Sequence, residues 1–442
     1  MQVMKWSALA IAVTAGTTQL AFASAQSDSK GFVEDSNLSL LNKNFYFNRD
    51  FKNNDSTSQS YREEWAHGLW ADYASGYTQG TVGFGVDAHA ALGIKLDSGD
   101  GTNGTGLLPI GEDGTSDDDY SYAGGAVKAR ISNTELKYGD LIPTAPVFAT
   151  GTARLFPGSA TGFQILSSEI ENLSIDAGHF TAIRDGSFST NSDGEVTLAY
   201  GGAIDATSVD YLGGTYSFSD NFSATAYGAK LQDVWNQYYG NLNYNIPLAD
   251  DQALTFDFNI YDTSDEGDAL AGEIDNTTWS LAAAYTLGAH KFTLARQEVD
   301  GDVPMDYISM DGGNAGDSIW LNNSVQYSDF NAPNEKSWQA RYDLDMTTYG
   351  VPGLSFMVRY ITGEDIDGTD ADINGAYTYF GDGGEEWERN IEAKYVVQEG
   401  AAKDLSVRVR HSTWRANTAG NDALGSDLDE IRVITEYPLD IL

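Results

Sequence analysis

Arg408 and Arg410 lie two residues apart in Asp404-Leu405-Ser406-Val407-Arg408-Val409-Arg410-His411, with Leu405, Val407 and Val409 at the alternate positions. Successive side chains of an extended strand point to opposite faces, so one face holds two guanidiniums and the other three aliphatic groups. A guanidinium is always charged and offers a rigid fork of N–H donors matched to a carboxylate. Two such forks in a column can pass a carboxylate along without any covalent step. The apolar face suits lipid, which makes this strand a candidate wall between a membrane and a water-filled lumen. An arginine facing lipid near the midplane costs about 2 to 4 kcal/mol, so the cations belong on the lumen side.

The same alternation puts Lys128 and Arg130 on one face of Ala126-Val127-Lys128-Ala129-Arg130-Ile131. Arg341 lies opposite Ala340 and Tyr342, Arg359 opposite Val358 and Tyr360, and Arg432 between Ile431 and Val433. Lys394 shares its face with Glu392, so an internal ion pair is the alternative to a free cation. Arg49 falls on the side of Phe45 and Phe47, and pointing it inward would take a strand end or a bulge.

Covalent chemistry has little support. His179, Asp233 and Ser318 are the elements of an imaginable serine-hydrolase triad, but no Gly-x-Ser-x-Gly element accompanies them. A barrel hydrolase or a surface receptor is the reading from another class. The histidines at 67, 89, 179, 290 and 411 lack metal-ligand spacing, and there is no phosphate-binding glycine loop, so no cofactor is expected. A net charge of −40 excludes a basic nucleic-acid surface. The acid clusters Asp117 to Asp119, Asp262 to Asp268, Asp365 to Asp372 and Gly384 to Glu388 occur among turn formers. They read as solvated loops, with divalent-ion bridging to lipid headgroups the sharper alternative.

The elements that must position these residues follow from the rest of the chain. Residues 1–25 carry Lys5, an apolar stretch and the small ending Ala23-Ser24-Ala25, as a secretory signal peptide does, leaving 26–442 as one domain. The absence of cysteine fits an exported chain that needs no disulfides. No later run is long and apolar enough for a helical span, and a mean hydropathy of −0.34 is compatible with barrel strands, which interleave apolar and polar residues. The 25 Tyr and 9 Trp are numerous enough for interfacial girdles. Alternating stretches include Leu69 to Val86, Ala126 to Leu136, Thr255 to Tyr261, Trp279 to Tyr285 and Leu405 to His411. Short turns at 219–221, 288–290 and 400–404 would face the periplasm, and long connections at 96–122, 301–319 and 362–389 the exterior. The expected fold is all-β, a transmembrane antiparallel up-and-down β-barrel of about 18 strands. The segment from Lys137 to Pro157 is mostly apolar or small, with three of the nine prolines and Arg154 as its main cation. It reads as a constriction loop folded into the lumen.

The chain resembles the OprD-type porins, the outer-membrane carboxylate channels, from Gly31 to Leu442. The resemblance rests on Asn44-Phe45-Tyr46-Phe47-Asn48-Arg49-Asp50, on Ser75 to Asp87, on Pro143-Thr144-Ala145-Pro146-Val147-Phe148 with Arg154-Leu155-Phe156-Pro157, and on Asn276 to Tyr285, Ser324 to Phe330 and Glu436 to Leu442. It implies an outer-membrane barrel with a constriction loop, surrounded by outer-membrane lipid and lipopolysaccharide, and a weak homotrimer. It also implies passive diffusion of small carboxylate-bearing solutes. The most similar branch passes basic amino acids, small peptides containing them, and carbapenems; channels for aromatic acids or oligosaccharides are the runner-up. By resemblance Arg49 and Arg62 join the cationic ladder. Asp329, Tyr327 and Tyr307 match positions at the eyelet, where a carboxylate would attract a solute's cationic end.

Overall fold

Alternation sets the architecture. In the strand Val82–Asp97, Phe84, Val86, Leu92 and Ile94 are exposed on one face, while Gly83, Gly85, His89, Ala91 and Gly93 are buried on the other. A sheet that is apolar outside and packed inside must close on itself to leave no unpaired edge in lipid. The computed structural model describes residues 26–52, 58–99, 101–151, 153–184, 192–193, 196–309 and 318–442. The expected signal peptide, 1–25, lies outside the described residues.

The barrel strands are β1 (Asn37–Phe51), β2 (Tyr61–Ala74), β3 (Val82–Asp97), β4 (Asp119–Ile131), β5 (Thr134–Leu141), β6 (Ser159–Ser167), β7 (Leu173–Arg184), β8 (Val209–Ser219) and β9 (Phe222–Leu231). They continue as β10 (Trp235–Ala249), β11 (Gln252–Asp265), β12 (Asp275–Leu287), β13 (His290–Asp300), β14 (Lys336–Asp345), β15 (Leu354–Asp367), β16 (Asp382–Val396), β17 (Ser406–Ala416) and β18 (Leu428–Asp440). Each pairs antiparallel with the next, and β1 pairs with β18 to close the 18-stranded barrel, with Phe45 opposite Ile434 and Phe47 opposite Arg432. The termini of the described chain, Gln26 and Leu442, and the short turns share one end. The long connections and helix α1 (Thr418–Leu424) share the other.

Two expected strands are hairpins. Leu69 to Val86 is broken by the turn between β2 and β3, and Ala126 to Leu136 turns at Ser132 and Asn133, where Ser132 has a left-handed φ of 52°. Ser75 to Thr81 and Ser132 to Glu135 interrupt the apolar alternation, which resumes on the far side of each turn. Lys137 likewise belongs to β5, so the constriction loop begins only after Leu141.

That loop enters the lumen. Val147, Phe148, Leu155 and Phe156 are buried, with Phe148 5.1 Å from the Phe180 ring and Phe156 5.7 Å from Tyr120. Its carbonyls meet wall donors: Tyr261 donates to Pro146 O at 2.9 Å, Tyr122 to Pro157 O at 2.9 Å, and Lys43 Nζ to Arg154 O at 2.6 Å.

The connection from Gly301 to Ile319, expected outside, departs from expectation as well. Of residues 302–335, those described run along the inner wall as a belt. Tyr261 Oη accepts Trp320 N at 3.0 Å, Ser280 Oγ accepts Asn322 N at 3.0 Å and Gln297 Oε1 accepts Asn323 N at 3.0 Å. Further round, Glu388 accepts Tyr327 N at 3.1 Å and Ser328 N at 2.9 Å. Glu386 accepts Ser328 Oγ at 2.8 Å. Glu386 and Glu388, assigned by composition to a solvated loop, are buried in the lumen wall because alternation along β16 turns them inward.

Packing between the constriction loop and β2 leaves no room for a side chain at Gly68. A Cβ there would lie 2.8 Å from Leu155 Cγ and from Phe156 Cε1, contacts that force a shift. Gly68→Val should displace the loop tip, lowering the temperature of the heat-induced gel shift and broadening single-channel current noise. Native values for both would show that this contact does not hold the loop.

Candidate functional site

Pleating brings the predicted cations to the lumen, and their partners divide them into two sets. One set is engaged in holding the wall and belt. Arg49 donates to Glu430 Oε2 through Nε at 2.9 Å and Nη2 at 2.8 Å, and Arg432 Nε donates to Glu430 Oε1 at 2.6 Å. Gln326 Nε2 donates to the same carboxylate at 2.9 Å, and Arg432 Nη2 to Gln326 O at 3.1 Å. Arg49 also lies 4.9 Å over the Tyr327 ring. The inward Arg49 needs no bulge. Phe45 and Phe47 are inward too, fully buried, because the constriction loop supplies apolar surface inside the barrel. Aromatic residues were read as lipid-facing, and that assumption failed here.

Arg341 forms a two-pronged pair with Asp343 at 2.8 and 2.7 Å, and Arg62 Nη1 donates to Gly104 O at 3.0 Å. Arg154 is 2 % exposed and donates to Thr105 O at 2.6 Å, fastening the constriction loop to the connection after β3. Lys128 and Arg130 stand near the end that carries the termini. Lys128 Nζ is 2.6 Å from Asp87 Oδ1, and Arg130 Nε donates to Gln26 Oε1 at 3.1 Å while lying 4.0 Å over the Tyr77 ring.

The second set keeps free donors. Arg408 Nε is 3.0 Å from Glu392 Oε1 and Arg410 Nε is 3.2 Å from Glu392 Oε2, yet neither N–H is aligned for a hydrogen bond. Arg359 donates Nε to Asn390 Oδ1 at 2.5 Å and has no carboxylate partner among the described residues. Lys394 shares the face of Glu392, but the carboxylate sits with the arginines instead; Lys394 is paired across the sheet with Arg408. Arg359, Arg410 and Arg408 thus descend from just beneath the belt toward the end bearing the termini, with rungs on one strand about 7 Å apart. Lys291 on β13, paired across from Asp343, lies on the lumen face of the same wall. Sequence reasoning missed it, although Phe292 and Leu294 at the alternate positions marked its side.

Acidic and phenolic groups gather on the belt. Asp329 Oδ2 accepts Tyr307 Oη at 2.7 Å and Tyr200 Oη at 3.0 Å, and Oδ1 accepts Ser324 Oγ. Asp306, another residue missed, accepts Tyr307 N at 2.7 Å, Gly201 N at 2.8 Å and both Tyr200 N and Tyr377 Oη at 3.1 Å. Burial pushes Asp306 up to about 6 against those donors, and raises Asp329 above the ordinary carboxylate range. Tyr327 is held by its backbone N–H to Glu388 and by its ring against Arg49 and, at 5.0 Å, Trp414.

The hydrolase constellation is not assembled. His179 faces outward and pairs with Asp210 at 2.7 Å, Ser318 Oγ bonds to Ala149 N at 2.6 Å and Ala149 O at 3.1 Å in the lumen, and Asp233 occupies the turn between β9 and β10 with a φ of 61°.

The chain as a whole is similar to known proteins. Residues 30–441 match the family model for the outer membrane porin, OprD family. Porin D of Pseudomonas aeruginosa is 58% identical over 452 aligned residues, covering 100% of both chains. The porin-like protein GalP of Pseudomonas putida is 34% identical over 94% of this chain and 95% of its own. The crystal structure of Pseudomonas aeruginosa OprD superposes with a TM-score of 0.82 at 55% identity, covering 95% of this chain and 99% of that one. A closed barrel with its pore narrowed by inward segments, and similarity along the whole chain, lead to one conclusion: the protein belongs to the OprD family of outer-membrane porins.

Proposed function

We propose that this porin gives selective passive diffusion to small solutes bearing a carboxylate, with basic amino acids and short peptides containing them as the preferred class. The observation that supports this most is the column of Arg359, Arg410 and Arg408, whose guanidiniums have no aligned hydrogen bond to a carboxylate among the described residues. A solute meets the belt first, where Asp329 and the Tyr200, Tyr307 and Tyr327 rings favour a cationic end. Its carboxylate then reaches the arginines below. Arg408 and Arg410 hold Glu392 without aligned hydrogen bonds, so an entering carboxylate can replace it at little cost. The displaced Glu392 is then free to take the solute's ammonium or guanidinium. At Arg408 and Arg410 the solute's carboxylate takes the place of Glu392, an exchange of one carboxylate for another that favours passage over retention. Similarity to Porin D over the full length of both chains supports the porin reading, and the preference for basic solutes rests on this charge arrangement.

Replacing Arg408 and Arg410 together by alanine should reduce arginine uptake in liposome swelling several-fold, while Arg341→Ala, whose guanidinium is already committed to Asp343, should change it little. Equal effects in the two variants would remove the distinction between free and engaged cations. Glu392→Gln should lengthen the blocking events of a dicarboxylate such as glutamate in single-channel recordings, since the built-in competitor is gone. All these effects should shrink with salt, because exposed charges are screened over about 10 Å at 0.1 M.

A carboxyl whose value is raised takes up its proton at higher pH, so the negative charge of Asp306 is present at about pH 7.5 and is lost on acidification through about 6. Asp329 shifts in the same direction, and the tyrosines around both stay neutral across this interval. Cation preference, read as reversal potential across a potassium chloride gradient, should therefore fall between about pH 7.5 and about pH 5. Asp306→Asn should flatten most of that fall; a native channel with no pH response would show that these carboxyls do not act on permeating ions.

A further inference from the structure

The outer face of β11 to β15 carries a groove of about 620 Å³, lined almost wholly by apolar side chains. Register explains its shape. Ala283, Leu294, Ala340 and Tyr360 are successive cross-strand partners on the outward face, and Tyr285, Phe292, Tyr342 and Val358 form the next row. The two alanines leave the depression, and the larger side chains wall it. At its edge stands Arg389, directly across β15–β16 from Tyr360.

Arg389 differs from the other outward-facing strand arginines. Arg296 is paired with Glu298 at 2.6 Å and lies 5.0 Å over the Trp338 ring, and Arg415 is paired with Asp429 at 3.0 Å. Arg389 is exposed and donates Nη2 to Thr413 Oγ1 at 3.1 Å, with no carboxylate partner among the described residues. In a chain with 65 acidic residues, a lipid-facing arginine without an acid is a placed charge. It lies beside the stacked pair Tyr360 and Trp387, 5.6 Å apart, and such outward aromatic pairs stand at the interface where arginine costs about 0 to 1 kcal/mol.

We propose that this groove is a binding site for the lipid A moiety of lipopolysaccharide, with an acyl chain over Ala283 and Ala340 and a phosphate on Arg389. The membrane supplies the chain and the guanidinium selects the headgroup. Phosphate accepts two parallel N–H bonds from an arginine, whereas a zwitterionic headgroup carries its own ammonium and gains less.

The test is native mass spectrometry of the full-length barrel in mild detergent with added bis-phosphorylated lipid A or with phosphatidylethanolamine. The native protein should retain lipid A preferentially. Arg389→Gln should reduce that retention about tenfold and Arg389→Lys restore part of it, while phosphatidylethanolamine binding stays unchanged. Ala340→Trp, which fills the groove, should remove the adduct in barrels that keep their heat-dependent gel mobility. Equal retention of lipid A by the native protein and Arg389→Gln would overturn the site, as would equal binding of both lipids or a dimer that Ala340→Trp dissolves.

Discussion

Backbone inside a barrel must find hydrogen-bond partners, and in this porin buried carboxylates of the wall supply them. Glu388 takes two consecutive N–H groups of the belt, Glu386 a serine hydroxyl beside them, and Glu430 the amide of Gln326. An ionised carboxylate can accept up to about four hydrogen bonds, which makes it an effective clamp for irregular chain. Without the clamp the N–H groups of Tyr327 and Ser328 would lose their acceptor. With it, the segment bearing Asp329 and Tyr327 is fixed to the wall that bears the arginines.

The same requirement explains why cations of one type have unlike duties. Each buried carboxylate used as a clamp needs neutralising, and Arg49 and Arg432 do this for Glu430 from both sides. Arg341 is matched within its own strand by Asp343. The arginines that remain available are Arg408 and Arg410, whose neighbouring carboxylate is too poorly oriented to satisfy them, and Arg359, which has no carboxylate partner among the described residues. Charge in the pore is therefore set by orientation, and a count of basic residues on the lumen face overstates it.

Strand alternation made most of this legible from the chain alone. The inward direction of Arg359, Arg408, Arg410 and Arg432 follows from their aliphatic neighbours, because the outer face of the barrel must be apolar. Alternation failed where both faces are apolar. At Phe45 and Phe47 the lumen side is packed by Leu155, Phe156, Leu107 and Leu108, and no local pattern reveals a partner that distant in sequence. The belt was invisible for the same reason, since its contacts run to β12, β13, β16 and β18. Hairpins at Ser132 and between β2 and β3 were read through because apolar alternation resumes on the far side of each turn, although Ser132-Asn133 and Ser75-Gly76 are turn formers. Which cations are spent on the fold was beyond sequence reasoning, because it depends on angles at individual N–H groups.

Closure of the barrel between β1 and β18 has a consequence for assembly. Arg49 comes from the first strand, Glu430 and Arg432 from the last, and the belt's Gln326 bonds to that carboxylate across the seam. The final clamp of the belt is therefore translated among the last residues of the chain. A barrel still open at this seam has neither its complete wall nor its fully anchored aperture, so sealing the membrane and setting the width of the hole are finished together.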